Sequence, residues 1–257
     1  MKITFVGTGS GKVSLNQFHS SILISSQNYN LLVDTGDSIS LALLTSKIDF
    51  NSIDGIVLTH LHPDHFSGLP GLIIQMKMNN RDKPLDVYVH KNLVTVVTEF
   101  LLSSYILQER TNFNIFYKTF SDNEFITVLK NFTFLTRKNS HLNKLQKYLS
   151  GYPSLNLHSS SLCIQVEDKK IIYTSDIASP EDVFLFKEYF SEVFICESNH
   201  IDYRLLIEAL NKIEAKIIYL IHFSQDDSQK LNEILASMDS SLRDKIKFAK
   251  EGLSFEI

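Results

Sequence analysis

In the run VLTHLHPDHFSGLPGL, residues 57–72, three histidines and an aspartate fall between His60 and His65, directly after an apolar stretch. Residues two apart on an extended chain point the same way, so His60 and His62 leave the strand ending at Leu58 with both imidazoles on one side. Pro63 breaks the extended backbone, and Asp64 and His65 fall on the turn that follows. Imidazole and carboxylate together form the ligand mixture of Zn²⁺, and to a lesser degree of Mn²⁺ or Fe²⁺. Packing explains the cluster poorly, because each buried polar ring would need its own partner. Four residues do not fill the shells of two ions, so further ligands are expected from other strand ends. His158 precedes the apolar run SSSLCIQV, Asp176 follows IIYTS, and His222 follows KIIYLI. Each adjoins a strand, where the active sites of layered α/β proteins gather.

The elements that must position these groups are legible as apolar runs. Strands are expected at 3–6, 21–25, 30–33, 55–58, 86–89, 132–135, 161–166, 170–174, 193–196, 216–221, 246–249 and 253–257. Helical periodicity covers 37–46, 69–78, 91–106, 181–190, 202–214 and 226–238. Strands in succession, then strands alternating with helices, predict an α/β class of mixed sheets covered by helices. No Pro/Gly/Ser linker divides the chain, so a single domain over 1–257 is expected. The apolar stretch 93–107 reads as core or dimer-contact packing, which leaves a homodimer open. Arg137, Lys138, Lys144 and Lys147 lie in RKNSHLNKLQK with no acid among them, either as a solvated face or as a phosphate-attracting loop.

With 44% hydrophobic and 21% charged residues, the 257-residue chain is ordinary for a soluble globular protein. A net charge of −4 argues against a generally basic nucleic-acid-binding surface. MKITFV reads as a strand and not as a signal peptide. The uncharged run from Val13 to Val33 is too often interrupted by Asn, Gln and Ser for a membrane span. Cys163 and Cys196 sit inside strand-like runs and are expected as free buried thiols, consistent with a reducing cytoplasm.

The order VGTGSG near the start, VDTG at 33–36, HLHPDH at 60–65, His158, TSD at 174–176 and IHFS at 221–224 resembles the metallo-β-lactamase superfamily of binuclear hydrolases over essentially the whole chain. GTGSG, together with GLPGL after the histidine cluster, makes it most similar to the ribonuclease Z-like and phosphodiesterase-like branch. The resemblance implies a four-layer αββα sandwich of two related halves, with the site at one edge between the sheets. It implies two divalent metal ions, His60, His62 and His158 binding one, Asp64, His65 and His222 the other, and Asp176 bridging both. Asp34 would orient a ligand histidine through its other ring nitrogen. His141 competes with His158 for a ligand role; His158 is preferred because it directly precedes a strand and has the family's spacing to Asp176. A non-ligand histidine near the leaving group is matched by His200, with Glu197 resembling its acidic partner, although the neighbours Ile201 and Asp202 depart from the family's HST motif. The catalytic set expected is Asp64, His200 and Glu197.

The implied chemistry is attack by a metal-bridging hydroxide, with His200 protonating the departing alkoxide. The long Gly/Pro-containing arm with which ribonuclease Z enzymes grip transfer RNA is not apparent, since 79–158 offers only Pro84, Gly151 and Pro153. A phosphodiesterase on a small or nucleotide-like phosphodiester is therefore the leading expectation. The alternatives are RNA 3′-processing, and thioester or lactone hydrolysis at the same metal site.

Overall fold

A computed structural model of the chain describes residues 1–223, 225–236 and 240–257. Among these residues the strands are β1 (Lys2–Gly7), β2 (Ser21–Ser25), β3 (Asn30–Val33), β4 (Gly55–Val57), β5 (Leu85–His90), β6 (Ile115–Phe120), β7 (Phe125–Leu129), β8 (Phe132–Lys138), β9 (Ser160–Val166), β10 (Lys169–Tyr173), β11 (Ser191–Glu197), β12 (Ala215–Ile221), β13 (Ile246–Phe248) and β14 (Ser254–Glu256). The α-helices are α1 (Ile39–Thr45), α2 (Pro63–Phe66), α3 (Leu69–Met78), α4 (Val94–Ser103), α5 (Tyr203–Leu210), α6 (Gln225–Ala236) and α7 (Ser240–Lys245). None is long and apolar enough to cross a membrane.

The chain forms two compact units, each with its own seven-stranded mixed sheet flanked by helices. The first unit comprises Met1–Ser121 and Lys250–Ile257, with strand order β14-β1-β2-β3-β4-β5-β6. Pairing is antiparallel from β14 to β3 and parallel from β3 to β6. The second unit, Asp122–Ala249, has the order β13-β12-β11-β10-β9-β8-β7 and repeats the plan, antiparallel from β7 to β10 and parallel from β10 to β13. Buried parallel strands read as unbroken apolar runs, as β4 and most of β11 and β12 do. Leu32, Ile56 and Val87 join Leu69, Leu72, Ile73 and Met76 of α3 in the first core, and Phe194, Ile218 and Leu220 join Leu206, Ile207 and Leu210 of α5 in the second.

Two departures from the expected elements have physical causes. Strands β6 and β7 were not anticipated; both lie at sheet edges and bury little, so neither shows a clear apolar period. The helix expected over 181–190 is only a 3₁₀ turn, Pro180–Phe184, followed by turns in which Val183 and Phe186 are buried. The helix expected over 226–238 is α6, its last two expected residues lying outside the described ones, as does Ser224 of IHFS. Cys163 and Cys196 are free and buried, as expected.

Candidate metal centre

In the first unit the parallel strands β3, β4 and β5 end at one edge of the sheet, and the histidine cluster hangs from the end of β4. Pro63 at the first position of α2 stops the strand and turns Asp64 and His65 onto that short helix. The turn is fastened to the VDTG loop: Thr35 N–H donates to the His65 carbonyl at 2.6 Å, and Gly68 N–H to the Thr35 carbonyl at 2.9 Å. Gly36 is obligatory there, since a Cβ would lie 1.9 Å from the Asp64 carbonyl oxygen. The GTGSG loop also closes on Asp64, with the site of a Gly11 Cβ 3.0 Å from its Oδ2. Glu251 holds the neck of that loop, accepting from the Thr8 and Phe18 backbone N–H groups.

Asp34 is fully buried, with φ at 62°, and organises two of the histidines. Its Oδ1 accepts from Thr59 N–H at 2.8 Å, and its Oδ2 accepts from the Thr59 hydroxyl and from His65 Nδ1, both at 2.8 Å. Because the Thr59 hydroxyl proton is given to Asp34, the Thr59 oxygen is left to accept from His60 Nδ1, 3.1 Å away. With the bonds made in this direction both rings carry their proton on Nδ1 and leave Nε2 unprotonated, as an imidazole that binds a metal through Nε2 would need. Burial pushes the Asp34 carboxyl above its ordinary range, against the pull of His65 and Thr59. The His60 ring lies 4.8 Å from that of His62 and 4.1 Å from that of His65. His65 Nε2 is 3.6 Å from Asp64 Oδ2.

In the second unit β8, β10, β11 and β12 run the same way, so their carboxyl ends share one sheet edge. Asp176 follows β10 and is buried; its Oδ1 lies 3.4 Å from His222 Nδ1, and its Oδ2 lies 3.6 Å from His141 Nε2. Ser175 and His222 adopt left-handed backbone conformations, φ 53° and 60°, which turn the chain sharply as it leaves β10 and β12. His200 lies beside them. His200 Nδ1 is 3.4 Å from Glu197 Oε1 and 3.9 Å from Asp176 Oδ2, and its ring lies 4.8 Å from His141 and 5.3 Å from His222. Glu197 is buried and also accepts from the N–H groups of Ile177, Asn199 and His200. Burial opposes charge on His200, but the Glu197 carboxylate and then Asp176 outweigh it and raise its pKa, while Lys144 works against them.

The structure puts His141, and not His158, beside Asp176. His158 Nε2 instead meets Ser160 Oγ at 2.8 Å and lies 3.6 Å from Asp122 Oδ1. The cause is strand direction. His141 leaves the carboxyl end of β8, which runs with β10, whereas His158 enters β9, which runs against it. The signal was available, since His60, Asp176, Glu197 and His222 all lie at or just past the end of a strand and His158 alone precedes one. The basic stretch 137–147 is likewise not uniformly free: Arg137 bonds the Leu185 carbonyl and Glu188 and lies over the Phe186 ring.

Donor spacing tests whether these residues suit an ion. Tetrahedral ligation at 2.0–2.1 Å sets neighbouring ligand atoms about 3.3 Å apart, longer than a good hydrogen bond. The pairs His65–Asp64, His141–Asp176 and His222–Asp176, at 3.4–3.6 Å, fall near that spacing. The donor set fits a divalent metal.

A family model described as Anti-Pycsar protein Apyc1 matches residues 1–245. The chain belongs to the Anti-Pycsar Apyc1 family. The protein of that name from Bacillus phage BSP38 is 31% identical over 200 residues, 75% of each chain. Ribonuclease Z from Saccharolobus islandicus (strain M.14.25 / Kamchatka #1) is 28% identical over 272 residues, covering 98% of this chain and 84% of its own. The crystal structure of the metallo-β-lactamase fold protein YhfI from Bacillus subtilis superposes with a TM-score of 0.74 at 19% identity, covering 99% of this chain and 98% of its own. This Apyc1-family chain thus has the metallo-β-lactamase fold and is a metal-dependent hydrolase on the ribonuclease Z-like side of that superfamily.

Proposed function

We propose that the protein is a phosphodiesterase that acts on a small or nucleotide-like phosphodiester and holds a pair of divalent ions. The ligands would be His60, His62, Asp64, His65, His141, Asp176 and His222, with Zn²⁺ the metal best matched to them and Mn²⁺ or Fe²⁺ the alternatives. The observation that carries the reading is the Asp176 carboxylate, whose two oxygens each stand by a different histidine at ligand spacing, as a residue shared by two ions must.

Two ions in this set would supply a water ionised near neutral pH and neutralise charge building on the phosphoryl oxygens. The chain's own residues would do the rest. Asp34 fixes the tautomer of His60 and His65, so that both present Nε2. His200 keeps Nδ1 against Glu197 and would deliver a proton from Nε2 to the departing oxygen, a contribution of order 10²–10⁴ in rate. Asp64, pinned by Gly11 and Gly36, would hold its carboxylate at the reacting end of the first unit. Lys144, whose charge is felt at His200, would draw the anion in.

RNA 3′-processing is the second reading, favoured by the match to ribonuclease Z along nearly the whole chain and weakened by the missing substrate-gripping arm. A cytoplasmic location accords with the free thiols. The test is metal content together with turnover of bis-p-nitrophenyl phosphate, 3′,5′-cyclic mononucleotides, a precursor tRNA with a 3′ trailer, a thioester and a lactone. Two equivalents of metal with turnover of the small diesters support the proposal. Turnover confined to the precursor tRNA or to the carbonyl substrates overturns it.

A further inference from the structure

We propose that Asp182 is a positioning residue for the metal ligands of the second unit, holding the His141 loop and the Asp176 loop at a fixed separation. The inference rests on the metal-binding reading above. Asp182 is a buried carboxylate in the 3₁₀ turn Pro180–Phe184. Its Oδ1 accepts from Ser140 N–H at 3.0 Å, and its Oδ2 accepts from the Ser140 hydroxyl at 2.6 Å and from Ala178 N–H at 3.2 Å. Ser140 immediately precedes His141, and Ala178 lies two residues after Asp176. One side chain therefore ties together two loops that each deliver a ligand.

The sheet itself does not supply that tie. The loops leave β8 and β10, and β9 lies between those strands, so no ladder hydrogen bond joins them. Asn139 spans the gap from the strand side, donating from Nδ2 to the Thr174 carbonyl at 3.2 Å and accepting at Oδ1 from His141 N–H at 3.2 Å. Asp182 closes it from beyond the ligands. Burying a carboxylate costs free energy unless it is well bonded, and apolar packing would fill the same space without that cost. What a carboxylate offers is acceptor capacity for three donors from two loops, with no proton of its own to place. The separation so fixed is the 3.6 Å between His141 Nε2 and Asp176 Oδ2.

The experiment is titration of metal-free protein with Zn²⁺ by calorimetry, paired with the visible spectrum of the Co²⁺-loaded protein, for wild type, Asp182→Ala, Asp182→Asn, Ser140→Ala and the exposed neighbour Glu181→Gln. Asp182→Ala is expected to weaken one of the two ions about 10–100-fold, as loss of groups that orient metal ligands does, and to alter the Co²⁺ bands. Asp182→Asn and Ser140→Ala, which each keep part of the network, should lose less, and Glu181→Gln should match wild type. If Asp182→Ala fails to fold, the graded losses in Asp182→Asn and Ser140→Ala decide the matter. Wild-type affinity and wild-type Co²⁺ spectra in the folded Asp182 and Ser140 variants would overturn the proposal. A wild-type protein that takes up no metal would instead overturn the metal-binding reading on which the proposal rests.

Discussion

Replacing Asp34 with asparagine is the sharpest probe of how the first unit prepares its histidines. All three groups that meet this carboxylate are donors: Thr59 N–H at Oδ1, and the Thr59 hydroxyl and His65 Nδ1 at Oδ2. An amide offers only one oxygen. The Thr59 backbone N–H cannot turn away, so the oxygen is expected to stay there and the NH₂ to replace Oδ2. The Thr59 hydroxyl can rotate to accept, but His65 can accept only by moving its proton from Nδ1 to Nε2, the nitrogen that would bind the metal in the proposed site. Backbone strain does not confuse the experiment, because φ at this position is 62° and asparagine tolerates the left-handed region, whereas alanine would be strained. Loss of such an orienting partner typically weakens metal binding 10–100-fold, or about 1.4–2.7 kcal/mol. The assay is competition of metal-loaded protein against a chelator, with ¹⁵N spectra of the imidazoles reporting which His65 nitrogen carries the proton. A folded Asp34→Asn protein that kept both ions at wild-type affinity, with His65 still protonated on Nδ1, would refute the argument.

His141→Ala is expected to cost an equivalent of metal and His158→Ala to keep both, as read by elemental analysis of the purified variants; the reverse pattern would restore the assignment from spacing. Truncating His200 to alanine should lower kcat by about 10²–10⁴ for a diester with an alkoxide leaving group and much less for a p-nitrophenolate, with metal content unchanged. Lys144→Ala should raise KM for an anionic diester several-fold while leaving kcat near wild type, and the difference should shrink at high salt. Burial pushes the Cys163 thiol up to about 12 and Cys196 higher still, so both stay protonated at pH 8. Ellman's reagent should therefore find no reactive thiol in the native protein and two after unfolding.

What could be read from the sequence was whatever depends on neighbours along the chain. The His60–His65 cluster is local, and its side chains are placed by one strand end and one proline, so spacing sufficed. Asp176 and His222 were legible because each follows an apolar run with a single interpretation. The choice between His141 and His158 was easily missed, since both lie at the same sheet edge and only the direction of the attached strand separates them. Strands β6 and β7 escaped because edge strands leave most of their residues to solvent. Asp182 escaped for another reason: its role lies in bonds to Ser140, 42 residues away, which no local pattern encodes.

The left-handed residues show how the two kinds of information meet. Asp34, Ser175 and His222 all carry positive φ, and each stands one or two residues past the end of a strand that runs toward the ligand edge of its sheet. Glycine would relieve the strain, of order 1–3 kcal/mol per residue, but glycine has no side chain to orient or ligate. At Asp34 the side chain is the acceptor for His65, and at His222 it is the imidazole beside Asp176, so the strained position and the functional atom are the same residue. At Ser175 the strain falls on the residue before the ligand. It is held there by the Thr174 hydroxyl, which donates to the Ser175 carbonyl at 2.8 Å while accepting from Glu197 N–H at 3.2 Å. The backbone that turns Asp176 toward His141 and His222 is thereby bonded to the strand that carries Glu197, the carboxylate that holds His200. Thr174 and the Ile177 N–H, which donates to Glu197, thus tie the Asp176 loop to the strand that carries Glu197.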